Sequence, residues 1–326
     1  MSSSNRGRSN RRGSRRGRGG GRGSLNERRE AKRKVLVEVA NETKSELPFI
    51  LNALPSIKAK ESEVLSLDTL PALNQDWCPK HHKATIKVIN EDTLNAAIML
   101  KDLIELSSSP SSSTDNGSST QIDFSARPAV LNLASDTSPG GGFERGAMAQ
   151  EEALCYRSSL FLSLHKTYYP FAPLQGLYTR DVVVIRSSMS DGHTLLTPAT
   201  ATADLPVLSV VSIAAIRCPK VDCAQTVPGG QRNVFKNAED RVLTKKKMRL
   251  ALRIAASKGH DCLVLGALGC GAFRNPVEEI ASAWKEVLEE DEFGGGWWRE
   301  VWFAVLDPNN NGIFELFDRV LGGVQV

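Results

Sequence analysis

The sequence predicts an α/β domain built on a largely parallel or mixed sheet, and two observations carry that prediction. Short apolar runs of strand length alternate with longer segments of helical periodicity along residues 84–306. Two glycine-rich loops, 135–142 and 266–271, each follow an apolar run and precede a helical segment. In α/β folds ligands sit there, beyond the carboxyl ends of the strands.

Residues 29–52 are predicted as a helix, because Leu36, Val39, Ala40, Thr43 and Leu47 recur on one side and Pro48 marks its end. Alternation through Thr85, Ile86, Lys87, Val88 and Ile89 predicts a short strand over 84–90. Residues 93–106 read as a helix with Asp92 as its cap. The run AVLNL (129–133) is a buried strand that enters the turn 135–142, and a helix is expected over 149–164. The runs DVVVI (181–185) and LSVVSIAA (208–215) are strands, and 237–257 is a long helix with a basic face. Residues 262–265 form a strand leading into the second glycine loop, 276–288 a helix and 300–306 a last strand.

The chain has 326 residues, a net charge of +4 and 41% hydrophobic residues, ordinary values for a globular protein. No apolar run approaches the roughly 18 residues of a membrane span. Met1 is followed by a polar, Arg-rich stretch without an apolar segment, which argues against a secretory signal. Six scattered cysteines, Cys78, Cys155, Cys218, Cys223, Cys262 and Cys270, are no disulfide framework. A reducing compartment, nuclear or cytoplasmic, and a monomer away from membranes are expected.

Charge divides the chain. Residues 1–34 hold 13 Lys+Arg and 2 Asp+Glu, a charge of +11, while the remainder holds 28 and 35, a charge of −7. The Arg-Gly tail 1–34 is expected to be disordered, since it has almost nothing apolar to bury. Its planar cationic donors suit RNA, DNA or another phosphate polymer. The cluster Arg28, Arg29, Lys32, Arg33 and Lys34 also reads as an import signal. The body, 35–326, is expected to comprise an accessory region 35–106, a flexible Ser-rich loop 107–120 and the α/β domain.

The chemistry concentrates between Asn132 and Glu152. Gly140, Gly141 and Gly142 follow a strand, and Gln150, Glu151 and Glu152 follow seven residues later at a helix start. Consecutive glycines let backbone amides approach a ligand and cradle a pyrophosphate. Two adjacent carboxylates beside an anion site suggest acid chemistry, because the charges keep one proton bound.

The segment PGGGFERGAMAQEEALC (139–155) resembles the macrodomain-type poly(ADP-ribose) glycohydrolases, in particular the compact microbial type. KRKVLVEVANET (32–43), IKVINEDTLNAA (86–97) and LGALGCGAFRNP (265–276) extend the resemblance to about residues 32 to 322. It implies a macrodomain-like mixed sheet between helices, an amino-terminal helical accessory region, and hydrolysis of ribose–ribose O-glycosidic bonds to release ADP-ribose. Carried onto matching positions, Glu152 is the general acid/base, Glu151 binds a ribose hydroxyl and Gln150 orients the site. Gly140, Gly141 and Gly142 line the pyrophosphate and distal ribose, with Asn132 and Ser135 on the ribose side. Gly269, Cys270, Gly271 and Ala272 form a second diphosphate loop, and Phe273 packs on ribose or adenine. No metal or redox cofactor is implied. The chain departs from the pattern at Tyr156, where a basic residue is common, and at the GGGWW stretch, 294–298.

Two further readings stand beside hydrolysis of the polymer: hydrolysis of another ADP-ribose linkage, such as a mono-ADP-ribosylated base or an acetyl ester, and a non-enzymatic ADP-ribose reader with an RNA-binding tail. Of the remaining features, Cys78 with His81 and His82 is read as a loop, not a zinc site. Cys270 is assigned a backbone role, and His193 a place in a turn. Lys245–Lys247 are read as a solvated helix face, and Trp297, Trp298 and Trp302 as packing.

Overall fold

A computed structural model describes residues 20–107, 127–226 and 230–326. The remainder of the Arg-Gly tail and of the Ser-rich loop lies outside the described residues. The chain runs α1 (Gly20–Asn52), β1 (Glu63–Ser66), β2 (Lys87–Ile89), α2 (Thr93–Ser107), β3 (Ala129–Leu133) and α3 (Gln150–Arg157). It continues through β4 (Gln175–Val183), β5 (Val207–Ile213), β6 (Val221–Thr226), β7 (Gly230–Phe235) and α4 (Ala238–Ser257). It closes with β8 (Cys262–Leu265), α5 (Val277–Leu288), β9 (Glu300–Ala304) and α6 (Ile313–Leu321).

Seven strands form one sheet in the order β1-β4-β5-β3-β8-β9-β2, and β6 and β7 form a separate hairpin. The pairs β5–β3, β3–β8, β8–β9 and β9–β2 are parallel, while β4 runs antiparallel to both its neighbours. Period-two alternation buries both faces. Leu131, Leu263, Leu265, Val301 and Phe303 face a core shared with α4, α5 and α6. Val130, Cys262, Val264, Trp302 and Ala304 face a second core shared with α1, α2 and α3. The fold is therefore a mixed α/β sandwich with a mostly parallel central sheet. No described helix is long and apolar enough to cross a membrane.

Helix α1 buries Leu36, Ala40, Thr43, Leu47 and Ile50, a stripe at helical spacing. It begins earlier than its periodicity indicates, so residues 20–34, assigned to the tail, are helical in the structure. Asp92 caps α2, its Oδ1 accepting the N–H bonds of Leu94 and Asn95 (2.9 and 3.2 Å). The same carboxylate pairs with the buried guanidinium of Arg157.

Several sequence expectations are corrected. The helix expected over 149–164 ends at Arg157, because Ser158 turns extended and bridges Val184 while the Arg157 carbonyl accepts from Ile185 and Arg186. The strand expected at 181 begins at Gln175, with an irregularity between Thr179 and Val182 that interrupts its alternation. Strand β1, the β6–β7 hairpin and α6 have no counterpart among the expected elements. β1 is a largely exposed edge, and exposed residues break the alternation of the hairpin. Lys247, read as part of a solvated face, is buried and donates to the carbonyl of Pro173. Desolvation pushes its amine down to about 8. Trp297, Trp298 and Trp302 are buried, in line with the packing reading.

Candidate active site

The carboxyl ends of β5, β3 and β8, three neighbouring strands, lead into the segments 214–220, 134–149 and 266–276. These loops meet at one end of the sheet. Helix α3 starts there, and its first turn carries Gln150, Glu151 and Glu152.

Gln150 is an anchor. Its Oε1 accepts the Leu133 N–H (2.8 Å) and its Nε2 donates to the Leu131 carbonyl (2.8 Å), so the amide side chain extends the edge of β3. A weaker bond reaches Thr93 Oγ1 (3.3 Å) and ties α2 to the same point. Glu151 is buried, with Oε2 accepting from the Ser135 N–H (2.8 Å) and Oε1 from Asn132 Nδ2 (3.3 Å). Desolvation outweighs these bonds and pushes its carboxyl up to about 8, with the neighbouring Glu152 contributing. Glu152 accepts the N–H of Gly142 at Oε1 (2.8 Å) and that of Ala149 at Oε2 (3.1 Å). It is 7% exposed against 2% for Glu151, so of the two it opens more to the site.

The triple glycine packs directly against the acid pair. A Cβ on Gly141, whose φ is +57°, would lie 2.4 Å from Glu152 Oε1 and 3.2 Å from Glu151 Oε2. A Cβ on Gly140 would meet the Phe143 ring at 2.9 Å, and one on Gly142 would meet Ala147 at 2.9 Å. The Gly141 and Gly142 amides are bonded to the Ser138 carbonyl and to Glu152, and the Gly140 amide is directed at Glu151. Gly140, Gly141 and Gly142 therefore pack around the acid pair, and the Gly141 and Gly142 amides have partners within the protein. Ser135 organises the same loop, its Oγ accepting from the amides of Thr137 and Ser138 (3.3 and 3.2 Å).

The second loop has the open character. A Cβ on Gly271 would meet nothing within 4 Å, and Gly271 and Ala272 are exposed. Among the described residues, no protein acceptor is bonded by the amides of Gly271, Ala272 or Phe273. Gly269 is glycine for packing, since its φ is +76° and a Cβ would press on Asn275 and Ala215 at 2.4 and 2.5 Å. Cys270 packs against the core, and burial pushes its thiol up, which suits the backbone role and not a nucleophile. Phe273 is half-buried beside it.

The braces around the site come from distant sequence. Lys44 of α1 pairs with Glu144 (2.6 Å), and the Arg33 backbone presses so close to Gly146 that a Cβ there would fall 2.3 Å from the Arg33 carbonyl oxygen. The Tyr156 hydroxyl lies 2.9 and 2.8 Å from the carbonyls of Phe143 and Ala147, so this departure from the family pattern closes the loop from beneath. Sequence reasoning missed Ser212, which accepts from Asn132 Nδ2 (3.0 Å), and Tyr169 and Arg217. Asn132 Oδ1 and the Tyr169 hydroxyl are buried without a partner among the described residues, two polar groups left over at the site. Arg217 was discoverable from its position, just past the carboxyl end of β5.

The other candidates lie elsewhere. Cys78 donates to the Gly295 carbonyl (3.3 Å), and His81 pairs with Asp261 (3.0 Å). Among the described residues, no group of three or more His, Cys, Asp and Glu side chains could hold a metal ion. His193 sits in a turn at φ +52°, buried, and desolvation lowers its pKa.

Residues 49–187 match the family model of the microbial-type PARG catalytic domain. Among solved structures, poly(ADP-ribose) glycohydrolase from Thermomonospora curvata is 24% identical over 88% of this chain and 99% of its own, with a TM-score of 0.63. A mutant of the Deinococcus radiodurans enzyme in complex with ADP-ribose is 26% identical over 80% of this chain and 94% of its own, with a TM-score of 0.59. The Thermomonospora enzyme bound to the inhibitor ADP-HPD is 24% identical over 88% of this chain and 99% of its own, with a TM-score of 0.62. No curated protein matches the sequence. The glutamate pair, the loops that hold it and these likenesses agree: residues 49–187 match a microbial-type PARG catalytic domain, and the chain shares its fold with these poly(ADP-ribose) glycohydrolases.

Proposed function

We propose that the chain hydrolyses the ribose–ribose O-glycosidic bonds of poly(ADP-ribose) and releases ADP-ribose, using Glu152 as general acid and base within a macrodomain-like sheet. The observation that carries this reading is a glutamate pair packed against the triple glycine beside an open row of amides, at the ends of β3 and β8. A diphosphate fits the uncommitted N–H groups of Gly271, Ala272 and Phe273, which precede α5. Phe273 then offers its ring to ribose or adenine. On the acid side, Asn132 Oδ1 can accept from a ribose hydroxyl, and the Glu151 carboxyl, protonated up to about pH 8, can donate to a ribose oxygen.

Catalysis follows from where the proton goes. Glu152 protonates the oxygen that joins the two riboses as that bond to the anomeric carbon breaks, through an oxocarbenium-like transition state. Water adds to the anomeric carbon, and Glu152 takes the proton that the water loses, which restores the pair. Gly142 and Ala149 hold the Glu152 carboxyl in place with two N–H bonds, so little reorganisation accompanies the step.

Mass spectrometry of products from defined poly- and mono-ADP-ribose substrates tests this reading. Release of ADP-ribose from the polymer is expected. Cleavage of mono-ADP-ribosylated substrates with an inert polymer would replace it by hydrolysis of another ADP-ribose linkage.

A further inference from the structure

We propose that Arg217 is a positioning residue that locks the two ligand loops together and backs Phe273, so that aromatic wall and acid side meet the substrate as one preorganised surface. This rests on the functional reading given above and adds a residue which that reading does not use.

Three observations converge on the short segment that follows β5. The Arg217 guanidinium lies 4.3 Å from the centre of the Phe273 ring, over its face. The same guanidinium pairs with the Asp136 carboxylate, with Nε at 3.1 Å from Oδ1. The backbone on either side grips the second loop as well: the Cys218 N–H donates to the Phe273 carbonyl (2.8 Å), and Asn275 Nδ2 donates to the Ile216 carbonyl (2.7 Å). Cys218 holds a left-handed φ of +47°, a conformation that costs free energy in a residue with a side chain and fixes where Arg217 points.

The consequence runs in two directions. Toward Phe273, a planar cation covers one ring face and leaves the other for a sugar or base, which an unsupported half-buried ring would present in many orientations. Toward the acids, Asp136 adjoins Ser135, whose N–H holds Glu151 Oε2 at 2.8 Å. Asp136 also accepts the Phe171 N–H at its carbonyl (2.8 Å), so the loop it belongs to is held from both sides. Arg217 is thus the link between the ring that receives the ligand and the loop that orients Glu151. At 48% side-chain exposure it is not needed to fill the core, and binding, not stability, is what its loss should affect.

The test is a double-mutant cycle on ADP-ribose affinity, measured by calorimetry with the full chain, together with KM and kcat on polymer. Arg217→Ala is expected to raise both Kd and KM about tenfold, leave kcat within about threefold, and leave the melting temperature nearly unchanged. Arg217→Lys, which keeps the charge for Asp136 but not the planar stack, should fall between. In a Phe273→Leu background the Arg217→Ala effect on Kd should shrink to less than about twofold, because the residue it acts through is gone. An undiminished loss in that background would mean that Arg217 touches the ligand directly, and would overturn the positioning role. Unchanged Kd in Arg217→Ala, with normal wild-type binding, would overturn it too. If the wild-type chain itself fails to bind ADP-ribose, the functional reading falls first and this one with it.

Discussion

Glu151 and Glu152 are consecutive, yet their surroundings give them separate tasks. Glu152 accepts bonds from two backbone amides and is the more open of the two, which turns it toward the site. Glu152→Gln is expected to lower turnover by about 10²- to 10⁴-fold, the usual worth of a positioned acid–base, while ADP-ribose still binds. Turnover above about a tenth of wild type would move the role to another residue. Glu151 makes a different prediction. Its carboxyl is raised from 4.5 to about 8 in the folded chain, so between those values the native state keeps a proton that the unfolded state has lost. Stability contributed by this group is therefore lost as pH rises through that window, at up to about 1.4 kcal/mol per pH unit. Melting curves of wild type and Glu151→Gln from about pH 5 to about pH 8 should diverge in favour of the variant. Parallel curves would show that Glu151 is not the group that holds the proton.

At the scale of elements, the site depends on how α1, α2 and α3 are pinned to one face of the sheet. Asp92 caps α2 and pairs with Arg157 at the end of α3, where the guanidinium is 2% exposed. Asn95 Oδ1 accepts a second bond from Arg157 (2.7 Å), so the two helices share a buried polar contact. Asp92→Ala removes a cap worth about 1 kcal/mol and leaves a buried cation without its carboxylate, a loss of about 3–5 kcal/mol in comparable cases. Denaturant unfolding is expected to show destabilisation of that order. A loss under about 1 kcal/mol would mean that Asn95 alone satisfies Arg157. Because Glu151 and Glu152 sit in the first turn of α3, turnover should fall along with stability.

For the whole molecule, the charge asymmetry is the feature that carries a prediction. The body carries −7 and has no net attraction for a polyanion, whereas residues 1–34 carry +11. Deleting residues 1–19, which removes +7 and leaves α1 whole, should not alter ADP-ribose affinity or the hydrolysis of short substrates. It should weaken association with RNA or long poly(ADP-ribose), and the full-length affinity should fall steeply with salt through counterion release. Filter binding at low and moderate salt measures this directly. Equal affinity of both forms would leave nuclear import through Arg28 to Lys34 as the better account of the basic residues.

The sequence by itself determined the α/β class, both glycine loops and the glutamate pair. Strand 129–133 and strand 262–265 were legible to the residue, because strands buried on both faces read as nearly continuous apolar runs, broken here only by Asn132. The pair at 151 and 152 was legible because its spacing from the triple glycine is short and local. What only the tertiary structure decided involves partners far apart in the chain. Helix α3 stops at Arg157, not at 164, because Ser158 finds a partner in Val184. The triple glycine reads as a phosphate cradle in isolation, and in the folded chain it packs against the acids that α3 carries back to it, with the Gly142 amide bonded to Glu152 and the Gly141 amide to the Ser138 carbonyl. Arg217 has no motif around it; its meaning comes from Asp136, 81 residues before it, and Phe273 beyond it. Lys247 follows the same logic, a charge in a basic run that the Pro173 carbonyl draws into the interior. Propensity and periodicity describe what each segment can bury, whereas these assignments depend on which atom each polar group meets once the sheet has brought the loops together.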